Sequence, residues 1–211
     1  SGITQFCLVR HGETDWNGAK RIQGHIDIDL NAAGKEQARA LKRGLSAHQF
    51  AAAYSSDLMR AWNTAQIATS GLGLAVSPAP TFRERHFGVM QGVTTLEASE
   101  QFPEALIHHK ARTPDYDYES GESLIDFSVR IIAALDALAV LHSGQNVLVF
   151  THGGVLDVAY RAATGRALHM PRNFLLPNAA LNWVERDDQG WKLISWADCS
   201  HLNLALDEVL E

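Results

Sequence analysis

The sequence predicts an α/β protein: a three-layer α/β/α sandwich on a mostly parallel sheet, with an antiparallel contribution from a C-terminal hairpin. Three observations carry this reading. Two apolar runs, one holding Ile3, Phe6, Cys7, Leu8 and Val9 and the other Val147-Leu148-Val149-Phe150, each break at a His-Gly pair, as buried strands do at tight turns. Amphipathic helical stretches lie between them, giving the β-α order of a parallel sheet. Near the end, Asp187-Asp188-Gln189-Gly190 separates two strand-like segments, a hairpin signature.

Taken in order, the first strand ends at Arg10-His11-Gly12, and the stretch from Arg21 to Leu30 is irregular. Asn31 is the expected N-cap of a helix whose inward stripe is Leu30, Ala38, Leu41 and Leu45. A short strand follows at Phe50 to Tyr54. Ser55-Ser56-Asp57 offers caps for a helix from Leu58 to Thr69, stopped by Gly71 and Gly73. Leu74 to Val76 reads as a brief strand before Pro78 and Pro80. The middle of the chain is the least periodic part, with short helices expected at Leu96 to Phe102 and Pro103 to Lys110 and then a polar loop. Ser123 and Asp126 open a long amphipathic helix with Leu124, Phe127, Ile131, Leu135 and Leu138 inward and Gly144 as its stop. A helix is expected from Val155 to Gly165 after the second strand. Ala179 to Arg186 and Trp191 to Trp196 form the hairpin, with its tryptophans as packing.

At 211 residues, with no repeat and no low-complexity linker, residues 1–211 read as one domain with a lid or insertion around 88–121. A hydrophobic share of 46% allows a substantial core. The net charge of -6 argues against a nucleic-acid binder or an anionic-membrane binder, so any positive region must be a local pocket. Two cysteines, Cys7 and Cys199, make no disulfide framework and are expected as free thiols. No run reaches membrane-span length and no signal peptide is visible, so the expected location is cytoplasmic. Ser1-Gly2 reads as a cloning remnant in place of a start methionine.

The chemistry gathers at the two strand ends. In an open α/β sheet, ligands bind beyond the carboxyl ends of the strands. Parallel neighbours ending in Arg10-His11-Gly12 and Thr151-His152-Gly153-Gly154 would set both imidazoles on one rim. Arg10 supplies a fork suited to phosphate oxygens. The glycines admit a close ligand, and the helix after Gly154 adds free N–H groups. No HxH or HExxH pair appears among the ten histidines, so no metal is expected.

Four segments, LVRHGETDWN from Leu8, SSDLMRAWNTA from Ser55, RERHFG from Arg83 and VLVFTHGG from Val147, together resemble the histidine phosphatase superfamily, the phosphoglycerate-mutase-like enzymes, over most of the chain. By that resemblance His11 matches a nucleophile that becomes a phosphohistidine. Arg10, Arg60 and His152 match a phosphate clamp, and Glu84 matches the proton donor. Asn17 matches a further phosphate contact, and Gln23, Gly24, Arg85 and Gly153 complete the expected substrate and phosphate contacts. The chemistry needs His11 neutral, with its second ring nitrogen donating to a backbone carbonyl, and His152 preferably protonated. Glu13 is expected to orient the loop and Asp57 to cap. His25 is a further residue near the pocket. His108, His109, Lys110 and Arg112 either cover an anionic substrate tail or form a solvated helix end.

The superfamily divides by the fate of the phosphohistidine. Glu84 to Gly92 looks like the mutase version of its segment, whereas Thr94 to Leu106, Arg21 to Gly24 and Ser120 to Phe127 look like the phosphatase branch. The long basic insertion of the mutases is missing. The resemblance therefore implies a phosphomonoesterase acting on small phosphorylated metabolites, with no cofactor. The alternative is a phosphoglycerate mutase, for which 2,3-bisphosphoglycerate would be the cofactor; a non-catalytic phospho-ligand module is a second alternative. The expected partner is the small phosphorylated metabolite, with no nucleic acid and no membrane. Monomer and dimer both remain open.

Overall fold

The computed structural model of the chain describes residues 2–202. Its strands are β1 (Thr4–Arg10), β2 (Ala52–Ser55), β3 (Val76–Pro78), β4 (Asn146–Thr151), β5 (Leu181–Asp187) and β6 (Gly190–Asp198). They form one sheet in the order β3-β2-β4-β1-β5-β6. β1 and β4 are parallel, as are β2 with β4 and with β3, while β5 runs antiparallel to both β1 and β6.

Alternation along the two central strands feeds two separate cores. Phe6 and Leu8 of β1 and Val147 and Val149 of β4 enter one; Cys7, Val9, Leu148 and Phe150 enter the other. All eight are fully buried, which is why both strands read as continuous apolar runs. Each large side chain so placed contributes about 1.5–3 kcal/mol of transfer free energy. The first core is covered by α6 (Leu124–Leu141) and α7 (Gly153–Thr164), the second by α2 (Ala32–Leu45) and α3 (Met59–Thr69). A four-residue helix, α1 (Asp15–Gly18), follows the first strand's turn, and α4 (Thr95–Gln101) and α5 (Pro103–Ala111) lie in the middle segment. That segment has its own small cluster of Met90, Ala98, Ala105, Leu106 and Tyr118.

The expected α/β/α layering and hairpin are present, with several local shifts. The strand expected at Leu74 to Val76 lies at Val76–Pro78, where it forms the sheet edge; an edge strand tolerates a proline that donates no hydrogen bond. The helix α1 went unforeseen; Thr14 and Asn17 close a reciprocal capping box on it. α3 is not capped by Asp57. Asp57 instead holds Arg83 through two bonds of 2.6 and 2.7 Å, while Asp27 Oδ1 accepts from the Met59 N–H. α7 begins at Gly153, two residues before the expected start. On α6, Ala139 is buried and Leu138 only partly so. Trp191 packs on Phe6 and Trp196 on Tyr160, as hairpin packing requires. No helix among the described residues is long and apolar enough to cross a membrane.

Candidate active site

Parallel register creates the site. It places Val9 beside Phe150 and Arg10 beside Thr151. The ladder then runs one bond further, from the His11 N–H to the Thr151 carbonyl at 3.0 Å. His11 and His152 therefore leave the sheet side by side, with ring centroids 5.3 Å apart. A cavity of about 270 Å³ opens here, and Arg10, His11, Arg60 and Glu84 are in its wall. Asn17, Gln23, Gly24 and Gly153 line it as well.

The His11 ring is fixed. Its Nδ1 lies 2.7 Å from the Gly12 carbonyl, so Nδ1–H donates there and Nε2 keeps the lone pair. Burial, and then the charges of Arg60 and Arg10, hold its pKa well below the usual 6.5. The ring is neutral at neutral pH. Asn178 Nδ2 donates to the His11 carbonyl at 2.8 Å, and the Gly12 N–H donates to Thr64 Oγ1 at 3.0 Å. These bonds pin the backbone on either side of the ring.

Arg60 lies on the first turn of α3 and is almost wholly buried. It donates to the carbonyls of Ile26 at 2.8 Å and Gly24 at 2.6 Å. Gly24 has φ +54°, a left-handed turn that turns its carbonyl to that use without a Cβ penalty. Arg10 donates to the Leu176 carbonyl at 2.6 Å. A Cβ on Gly153 would stand 3.4 Å from Arg10 Nε, so the guanidinium lies close against this glycine. Glu84 Oε1 accepts from the Arg85 N–H at 2.8 Å, and Oε2 from the Gly154 N–H at 3.0 Å, the first turn of α7. The carboxylate thus sits at the N-terminus of α7.

Some expected residues take other positions. His152 is fully buried and is not in the cavity wall; its Nε2 meets Ser56 Oγ at 2.7 Å. Burial, and then Arg60, His11 and Arg10, push its pKa well below 6.5, so the expected protonated ring is neutral in the free protein. Asn17 Oδ1 accepts from the Thr14 N–H at 3.1 Å, and Gln23 Oε1 from Thr14 Oγ1 at 2.8 Å; both shape the loop as well as lining the cavity. Arg85 turns away from His11. It donates to the carbonyls of Glu122 and Tyr116, lies over the Tyr118 ring and lines a neighbouring cavity. Glu13 accepts from Asn31 through Oε1, as a loop-orienting residue would. His25 Nε2 meets the Glu84 carbonyl at 2.7 Å. His109 reaches the cavity wall, whereas Lys110 is exposed.

Sequence reasoning missed Ser56, Asn178 and Arg172, of which Arg172 is in the cavity wall. The loop after α7 has no periodicity from which to read side-chain direction. Only the step from Pro177-Asn178 into an apolar run marks strand entry. Five buried side-chain nitrogens have no hydrogen-bond partner among the described residues, and three of them, Arg10 Nε, Arg60 Nε and His152 Nδ1, lie on residues around His11. Buried polar atoms without partners are costly, and three on residues packed around one imidazole form a ready set for a tetrahedral anion.

Against known families, residues 6–199 match the model of the histidine phosphatase superfamily, branch 1. The chain belongs to the histidine phosphatase superfamily. The chain is 41% identical over 206 residues to the metal-independent phosphoserine phosphatase of Arabidopsis thaliana, covering 96% of this chain and 85% of that one. It is 39% identical over 202 residues to phosphoglycerate mutase-like protein 4 of the same plant, covering 94% and 86%. Among solved structures, Bacillus stearothermophilus YhfR superposes with a TM-score of 0.87 at 31% identity, covering 94% of this chain and 99% of that one.

Proposed function

We propose that this protein is a phosphomonoesterase that hydrolyses small phosphorylated metabolites through a phosphohistidine at His11. The observation that carries the reading is the set of partnerless buried nitrogens on Arg10, Arg60 and His152 around a neutral, tautomer-fixed imidazole. A phosphoryl group in transfer spreads charge over three oxygens, and fixed donors at that place stabilise it. His11 Nε2 attacks phosphorus as the ester P–O bond breaks, and Glu84 in its acid form gives a proton to the departing oxygen. Water then attacks phosphorus while Glu84 takes its proton and the P–N bond breaks, returning neutral His11 and free phosphate. Arg10 and Arg60 hold the phosphoryl oxygens throughout. His152, neutral when the site is free, gains a reason to protonate once a phosphate dianion lies beside it. No step needs a metal, in keeping with the name of the plant relative.

Quenching turnover of a labelled phosphate ester in alkali should trap an acid-labile phosphoenzyme in the wild type and none in His11→Ala. A phosphoenzyme of full yield in His11→Ala would remove this residue from the chemistry. The mutase-like relative keeps a second reading open, in which a second hydroxyl receives the phosphoryl group. Following phosphorus by NMR with 3-phosphoglycerate separates the two. Free phosphate without a 2-phosphoglycerate signal marks a hydrolase; positional exchange faster than release marks a mutase.

A further inference from the structure

Three parallel strands end side by side at the site. β1 and β4 deliver His11 and His152, and β2, on the other side of β4, delivers Ser56. Register does this a second time. Ser55 stands beside Phe150, and the ladder runs one bond further, from the Ser56 N–H to the Phe150 carbonyl at 2.9 Å. Ser56 and His152 therefore leave the sheet as neighbours, both fully buried. The ring's Nε2 lies 2.7 Å from Ser56 Oγ, while its Nδ1 has no partner among the described residues.

Counting hydrogens decides which atom donates in that contact. A serine hydroxyl has one hydrogen to give and two lone pairs to receive. Ser56 Oγ already accepts from the Leu58 N–H at 3.3 Å, in the short turn that leads into α3. Its own hydrogen meets no acceptor among the described residues other than His152 Nε2. Were Nε2 to carry the ring's hydrogen, the hydroxyl hydrogen would be left buried and unpaired, which is costly. With the hydroxyl donating, Nε2 accepts and the ring's hydrogen stands on Nδ1. Burial, and then Arg60, His11 and Arg10, keep the ring to that single hydrogen in the free protein. His11 holds the same tautomer for a different reason, its Nδ1–H donating to the Gly12 carbonyl. The two rings then put one tautomer to opposite uses. His11 spends Nδ1–H on its own backbone and keeps the Nε2 lone pair for phosphorus. His152 gives Nε2 to Ser56 and keeps Nδ1–H for an oxygen.

We infer that Ser56 is a positioning residue that fixes the tautomer of His152, so that the neutral ring offers Nδ1–H to a phosphoryl oxygen. The inference rests on the reading of the function given above, which puts that oxygen beside His152. The donor is in place before any proton is taken up. When a phosphate dianion draws a second proton to the ring, that proton goes to Nε2 and the hydroxyl turns to accept it. Nδ1 donates in both states.

NMR of the imidazole nitrogens in isotope-labelled protein tests this, because a nitrogen bearing hydrogen resonates far from one with a free lone pair. The His152 signals are identified by their absence in His152→Gln. Near neutral pH, wild-type His152 should carry hydrogen on Nδ1 and a free lone pair on Nε2. Adding inorganic phosphate should move the Nδ1 signal. In Ser56→Ala the preference should be lost, with hydrogen appearing on Nε2. The kcat/KM for propyl phosphate should then fall roughly 10- to 100-fold, chiefly in kcat, the loss expected for a hydrogen bond to a charged group. Hydrogen on Nε2 in the wild type would overturn the inference, whether or not Ser56→Ala folds. So would an Nδ1 hydrogen that ignores phosphate, or one that survives in Ser56→Ala, which is what a purely structural role predicts. Should the wild type turn over no phosphate ester, the phosphatase reading fails. The spectra with and without inorganic phosphate then still decide the role of Ser56.

Discussion

At the scale of single residues, the site divides into groups that hold charge and one group that moves a proton. His11 is kept neutral by burial and two guanidiniums, and Arg10 and Arg60 stay cationic, although burial lowers the Arg60 pKa to about 10. In the proposed reaction Glu84 has the different task of protonating an oxygen that is a poor leaving group. Replacing it with Gln should cut turnover of an alkyl phosphate by about 10² to 10⁴, the usual size of a general-acid contribution. The same change should barely slow phosphoenzyme formation from p-nitrophenyl phosphate, whose phenolate leaves without help, while breakdown by water slows for both esters. Burst rates of phosphoenzyme formation on the two esters check this, and a uniform loss in that step would assign Glu84 to binding instead. His11, Arg10 and His152 were legible in the sequence because a buried strand can end in His-Gly only where the sheet meets a ligand or a tight turn. Arg172 and Asn178 were not, since they belong to a loop whose path is set by tertiary bonds such as Arg172 to Asp157.

At the scale of elements, Glu84, the proposed acid, is positioned from two sides. Arg130, on α6, donates to the carbonyls of Thr81 at 2.7 Å, Arg83 at 3.0 Å and Glu84 at 3.2 Å, and pairs with Glu122. One side chain thus clamps the segment that carries Glu84. On the other side, α7 offers the Gly154 N–H, and a methyl at Gly154 would run into Glu84 Oε1. The neighbour in that collision is the end of a flexible side chain, so Gly154→Ala should fold. The carboxylate should nevertheless be displaced, costing about 10²-fold on alkyl phosphates, the scale of a misplacement near 1 Å. Thermal melting together with rates on both ester classes checks it; a melting point close to that of wild type with unchanged alkyl-ester rates would show that the acid tolerates the shift. The HGG motif announced a close approach at this place, but what approaches was not readable, because Glu84 arrives from a segment with no helical or strand period.

At the scale of the whole molecule, the sandwich was legible because both central strands are buried on both faces, and the amphipathic stripes of α2 and α6 match the cores they cover. The middle segment was less so: its cluster around Met90 and Tyr118 is small, and Arg112 and Arg21 tie it to the rest through Asp157 and the Arg21–Thr94 bridge, pairings without local signature. Folding this many imidazoles beside guanidiniums has a consequence for acid stability. His11, His152 and His109 all have folded-state pKa values below the ordinary 6.5, the last at about 4. Below pH 6.5 the unfolded chain takes up protons that the folded chain refuses. Their contribution is therefore complete above about 6.5 and is lost as the pH falls, for His109 between 6.5 and about 4. The carboxyls of Asp157 and Asp57, held low in the fold, act in a separate window below their ordinary value of 3.8. Urea unfolding of the wild type at steps from pH 7 to pH 4.5 should show stability decreasing steadily. In His109→Gln the slope across that interval should be shallower by up to one proton, about 1.4 kcal/mol per pH unit at its limit. Coincident slopes for the two proteins would mean that His109 titrates alike folded and unfolded, so that neither its burial nor the guanidiniums beside it hold its proton off.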